Sequence, residues 1–259
     1  MSMDPVSWPN PKKDYLIEVQ KGNITGHSMV HKFGRNDAIA NGAWELISLA
    51  SAAPAFRSSA ATVRVKAGGN SADDSGGAGA TEVTVQGIDS NFAEITEAIT
   101  TNGTSASSAT SASFWRVHRA WVSAVGTYGV ANTGIITIED SGGAADMINI
   151  AAGEGQTQHT CWSVPVGKTA YLLSVHVTVD STQPVDVRCL VRETFDDVSA
   201  DMPGKRIKLY WAGLAEAFVY KPDGPELSVP EKSDIWFEAK GAGGAAKASC
   251  NFELLVVDD

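Results

Sequence analysis

Residues 61–122 read ATVRVKA-GGNSADDSGGAGA-TEVTVQGIDSNFAEITEAITTNG-TSASSATSA-SFWRVHRAWV, and this stretch decides the fold class. From Thr81 to Gln86 the residues alternate, with Val83 and Val85 on one side and Glu82, Thr84 and Gln86 on the other. A period of two is that of a half-buried strand with one wet face. Asn91 to Ile99 reads two ways. Asn91 with Glu94 resembles a capping box, and Phe92, Ile95 and Ile99 share a helical face. The β-branched run Ile95, Thr96, Ile99, Thr100, Thr101 between turn-like GIDSN and TNG favours a strand, so the segment is expected to form a hairpin with Val83–Ile88.

Outward from there the pattern continues. Strands are expected at Ile135–Ile138, Met147–Ile150, Thr157–Val164, Thr169–Val179, Asp186–Glu193, Arg206–Trp211, Ala217–Tyr220, Asp234–Ala239 and Ala248–Val257. In Thr169–Val179, Tyr171, Leu173, Val175, Val177 and Val179 are assigned to one face and Leu172, Ser174, His176 and Thr178 to the other. Pro165-Val166-Gly167-Lys168 and Lys221-Pro222-Asp223-Gly224 are turn signals, and Pro225 and Pro230 bracket an edge-like piece. Many short strands with frequent turns predict an all-β chain, an antiparallel β-sandwich or jelly-roll-like body over 61–259, with a division near residue 130 left open.

Residues 1–60 read as an extended N-terminal arm. Pro5, Pro9 and Pro11 forbid an early helix or central strand, and Trp8, Trp44 and Phe56 have few alternating neighbours to bury them. A brief helix is expected within Asp37–Ala50. The arm is expected to lie on the body or on another subunit through these three aromatics.

With 259 residues, 43% hydrophobic and 19% charged, the chain has enough apolar content for a substantial core and a largely neutral polar surface. A net charge of −10 opposes a nucleic-acid partner, which requires local positive charge. No apolar run approaches the ~20 residues of a membrane span, and MSMDPVSWPNPKKDY is too polar for a secretory signal. Cys161, Cys189 and Cys250 are an odd, scattered set, read as buried thiols in a protein folded in a reducing cytoplasm.

Sites of chemistry are scarce. His27 and His31 would share a helical face, but no third ligand is evident. Asp73 and Asp74 lie in a glycine loop without the spacing of a calcium site. Glu139-Asp140, Asp196-Asp197 and Asp258-Asp259 are adjacent pairs, which on a strand point to opposite faces and make poor acid/base dyads. No G-x-S-x-G, HExxH, P-loop or dinucleotide fingerprint is present. No cofactor or metal is expected, and the chain is read as a non-enzyme. Phe114–Val122 interleaves Trp115 and Trp121 with Arg116, His118 and Arg119. Aromatic stacking with positive charge suits single-stranded nucleic acid, yet a lone strand of this kind in an acidic chain is better read as a subunit or domain contact. Tyr210, Trp211 and Trp236 are the candidates for a glycan-facing surface.

The glycine-rich loop, TEVTVQGIDSNFAEITEAITTNG and SFWRVHRAWV, with KFGRND, SVPVGKTAYLLSV and VPEKSDIWFEAK, together resemble structural proteins of tailed bacteriophages, particularly marine ones. The likeness runs from about His31 to the C-terminus and is one of pattern. It implies a virion component, assembled in the host cytoplasm in symmetric copies, with other virion proteins as partners. A capsid-associated accessory subunit (decoration, cement or head fibre), trimeric, is the expectation; a tail or neck adaptor, fibre or receptor-binding part is the alternative.

Overall fold

The computed structural model describes residues 14–49, 56–180, 182–193, 205–222, 224 and 227–259. Its elements are, in order, α1 (Tyr15–Gln20), β1 (His27–Ile39), β2 (Glu45–Leu46), β3 (Ala61–Val65), β4 (Ala80–Asp89), β5 (Glu94–Thr100), β6 (Ser113–Val125), β7 (Ile136–Asp140), β8 (Asp146–Ile150), β9 (Cys161–Ser163), β10 (Lys168–Val179), β11 (Val185–Arg192), β12 (Lys205–Leu214), β13 (Phe218–Tyr220), β14 (Ser228–Val229), β15 (Asp234–Gly241) and β16 (Ala246–Asp258). The all-β, sandwich-like architecture expected from the alternation is what forms, and every ladder between these strands is antiparallel.

The opening stretch builds a sheet of its own, in the order β5-β4-β6-β3-β7-β8. Val83, Val85, Ile99, Phe114, Ile138 and Ile148 form its core. The β4–β5 hairpin pairs Val83 with Ile99 and Ile88 with Glu94. Strand wins over helix here because Asp89 closes the turn: its Oδ1 accepts the amides of Asn91 (2.8 Å) and Ala93 (2.9 Å), and Phe92 turns through φ +64°.

The sandwich faces β1-β16-β10-β13, with β14 on β10, against β12-β11-β15-β2, with β9 on β15. Val175, Val177, Cys250, Phe252 and Leu254 meet Val187, Cys189, Val191, Ile235 and Phe237 in one core, and the Phe237 and Phe252 rings lie 4.9 Å apart. All three cysteines are buried and free.

Four expectations are corrected. First, residues 27–46 are not arm: β1 is a full strand of the sandwich, running along β16 from His27↔Val257 to Ile39↔Ala246, and β2 pairs with β15. The strand escaped notice because Lys32, Gly34 and Asn36 interrupt its inward face between Val30 and Ile39, leaving no apolar period. Gly34 is there because a Cβ would sit 2.2 Å from the Ile47 carbonyl oxygen. Trp8 and the rest of residues 1–13 lie outside the described residues. Second, Asp37–Leu49 holds the end of β1 and then β2, with no helix; the short helix instead spans Tyr15–Gln20, capped by Asp14, whose side chain accepts the amides of Leu16 and Ile17. Third, the chain does not divide near 130. Residues 126–135 loop back to the same sheet, where β6 and β7 both pair with β3, and the change of core falls between β8 and β9. Fourth, a bulge at Leu173 breaks the β10 alternation, so Ala170 and Leu172 share the core face with Val175, Val177 and Val179.

Candidate functional site

The strand FWRVHRAWV lies at the seam between the β3–β8 sheet and the sandwich. Irregularities in the β4–β6 ladder leave Trp115 and His118 without ladder partners on β4. Such bulges re-aim side chains: Phe114, Val117 and Ala120 enter the sheet's own core, while Arg116 and His118 are buried toward the sandwich. Arg116, expected at a subunit or domain contact, is 3% exposed. Its Nε and Nη2 donate to Asp234 of β15 at 3.0–3.2 Å, and Ser163 Oγ donates to the same carboxylate at 2.6 Å. Phe56 closes this pair from outside: its ring lies 5.2 Å from the Arg116 guanidinium, 4.9 Å from that of Arg192 and 5.1 Å from the Trp236 ring. The strand is therefore a contact within the chain. Trp115 stacks on Phe92 at 5.5 Å, and Trp121 and Arg119 sit at the outer end of the seam, the guanidinium 5.6 Å from the indole.

Beside this ion pair runs a cleft between β1 and β6. One part, about 230 Å³, is lined by residues including Lys32, Gln86, Glu94, His118, Arg119 and Trp162. The adjoining part, about 300 Å³, is lined by His31, Lys32, Phe33, Arg119, Gln156 and Thr157. Lys32 Nζ donates to the His118 carbonyl, and burial pulls its pKa down to about 7. Among the described residues neither ring nitrogen of His118 has a hydrogen-bond partner; Glu94 Oε1 approaches Nε2 to 3.7 Å. Burial lowers the pKa of His118 despite Glu94, and His118 in turn holds the Glu94 carboxyl below its ordinary range. His159, also buried, is lowered further by the same loss of water. Burial pushes the Cys161 thiol upward, the opposite of what a nucleophilic cysteine requires. Lys32 and His159 were not singled out in the sequence, where nothing marks a lysine on an inward strand position.

The aromatics assigned to glycan contact separate. Trp236 is fully buried, with Nε1 donating to Glu238 at 2.8 Å, so it cannot face a ligand. Trp211 packs on Phe218 and Tyr220 at the core margin. Tyr210 is exposed and meets Trp44 edge-on at 6.0 Å. Trp44, assigned to the arm contact, lies on its own body with the Arg188 guanidinium 4.1 Å from its ring.

Asp73 and Asp74 act as turn carboxylates: Asp73 accepts the amides of Ala80 (3.0 Å), Thr133 (2.8 Å) and Gly134 (2.7 Å), and Asp74 that of Gly76. His27 and His31 lie on β1. Glu139 and Asp140, read as a poor acid/base dyad, are buried and paired with Arg64 and Arg57, each at 2.9 Å. Asp196 and Asp197 lie outside the described residues. Among the described residues no cluster of three His, Cys, Asp or Glu is placed to hold a metal, and no helix is long and apolar enough to cross a membrane.

No family model matches the chain, and no curated relative does. The chain is similar to a solved structure described as "Structure of infectious bursal disease virus Gt strain", at 9% identity over 94% of this chain and 78% of that one, with a TM-score of 0.26. A similarity of that size carries no argument about shared architecture or role.

Proposed function

We propose that the chain is a virion structural protein, a capsid-associated accessory subunit that joins its neighbours through sheet edges and performs no chemistry. The observation that supports this reading best is the open edge at β12. Among the described residues that strand ends its sheet, bonded to β11 alone, and Ile207 and Tyr210 on it are 55% and 50% exposed, with Val219 of nearby β13 at 58%. An unpaired edge with apolar side chains is a template for another strand. The basic residues in its first half are engaged within the same sheet: Lys205 by Glu238, and Arg206 and Lys208 by Glu193. The pattern resemblance to tailed-phage structural proteins points the same way.

In this reading the assembly contact moves from an aromatic arm, since Trp44 and Phe56 are spent on the chain's own body, to the sheet edge. β12 meeting β12 gives a two-fold pair, whereas a closed trimer needs β12 to meet a different edge. Fully burying one exposed apolar side chain contributes about 1.5–3 kcal/mol, so a few around an axis suffice to hold copies together. Size-exclusion with light scattering and electron microscopy of labelled particles test it. An oligomer lost in Ile207→Lys, with label on the shell, is expected. Label on the tail supports the tail or neck reading instead, and a monomer absent from particles overturns both.

A further inference from the structure

We infer that the cleft between β1 and β6 is a binding site for a small oxyanion, held by Lys32 from one wall and Arg119 from the other. This stands apart from the assembly reading above. An ammonium carries three donors, yet among the described residues buried Lys32 has one acceptor, the His118 carbonyl, and no carboxylate within ion-pair distance. Arg119, exposed at the cleft mouth, meets among the described residues the Gln156 side-chain oxygen, at 3.5 Å, and the Trp121 face. Five other arginines, Arg35, Arg57, Arg64, Arg116 and Arg188, each meet a carboxylate at 3.0 Å or less. In a chain with ten more acids than bases, buried Lys32 and exposed Arg119 share one cavity with no carboxylate at ion-pair distance among the described residues, and mark a place prepared for an anion brought from outside.

The cavity of about 300 Å³ between them is lined by no acidic residue. The adjoining part holds Glu94, whose Oε1 accepts from Gln86 at 3.0 Å and lies 3.7 Å from His118. A buried cation without a partner is costly, and an oxyanion filling the space would accept the vacant Lys32 donors while the Arg119 fork binds it from the opposite side. Its volume admits the anion together with a compact polar body. Gln156 on the rim supplies an amide for hydroxyls, so the oxyanion can be free phosphate or sulfate or the carboxylate of an acidic sugar.

The groups facing Lys32 are His118 and Arg119 of β6, Glu94 of β5, His159 from the segment leading into β9, Cys161 at the start of β9, and His31 beside it on β1. Burial sets the Lys32 pKa near 7, so its ammonium is filled below that and emptied above. An anion that remains fully ionised across this range binds more tightly at the acidic end.

The test is calorimetric titration of the full chain with inorganic phosphate, sulfate and glucuronate at fixed ionic strength, beside Lys32→Met and Arg119→Gln. Binding weakened about tenfold or more in each variant is expected, the loss of one charge-assisted contact, with sulfate bound more tightly at pH 6 than at pH 8. Glucuronate tighter than phosphate identifies a sugar acid, and the reverse identifies the inorganic ion. Lys32→Met keeps the stem volume, so circular dichroism should show it folded. No binding to the wild-type chain at tens of millimolar, or affinity unchanged in both variants, overturns the site.

Discussion

At the scale of single residues, the Arg116–Asp234 pair is the most demanding arrangement in the molecule, because both side chains are almost wholly removed from water. Arg116→Ala strands a buried carboxylate and should cost about 3–5 kcal/mol in urea unfolding. Arg116→Met with Asp234→Leu removes both charges and should recover much of that loss, since buried pairs often gain little over apolar replacements. Lys32 gives a second, signed expectation. Its folded pKa of about 7 lies below the ordinary 10.5, so between those values the unfolded chain binds more protons and stability rises with pH. Below about 7 both states are protonated and the slope vanishes. Lys32→Met should be more stable than the wild type at pH 7 and lack the rise between pH 7 and 10, as thermal melts at successive pH values would show.

At the scale of elements, the period of two was legible wherever one face of a strand was apolar, and the nine strands expected after residue 134 all formed. What failed had specific causes. β1 turns lysine, glycine and asparagine inward, so no hydrophobic period announced it. The β10 faces were misassigned because a bulge at Leu173 leaves no trace in composition. The mixed aromatic and basic content of the seam strand suggests a subunit or domain contact, but names no partner, since Asp234 lies more than a hundred residues away and no local pattern links it to Arg116. Two element-scale outcomes follow. Gly34→Ala drives a methyl against backbone at Ile47 and should cost roughly 1–3 kcal/mol, read from denaturant midpoints. Ile207→Lys on β12 should leave monomer stability within about 0.5 kcal/mol while abolishing self-association in light scattering.

For the whole molecule, the seam makes two sheet systems into one body, and its buried histidines make that union sensitive to acid. His118 and His159 both have pKa values lowered by burial. As pH falls below the ordinary histidine value of 6.5 the unfolded chain gains protons that the folded one refuses, and stability declines until the lowered values are reached. Melting temperature should therefore drop between pH 7 and 5, and a double replacement, His118→Phe with His159→Leu, should flatten the drop. Truncation gives a further test at this scale. Removing residues 1–13 should leave the fold intact, whereas removing 1–60 takes away β1 and β2 and should yield an aggregating chain in size-exclusion.

The ladder between β1 and β16 also sets a timetable. Every strand of the β3–β8 sheet finds its neighbours within residues 61–150, so that sheet can close while the ribosome is still translating the remainder. β1, made earlier, must wait as an unsatisfied edge until residues 246–258 emerge, and during that interval chaperones or premature strand exchange compete for it.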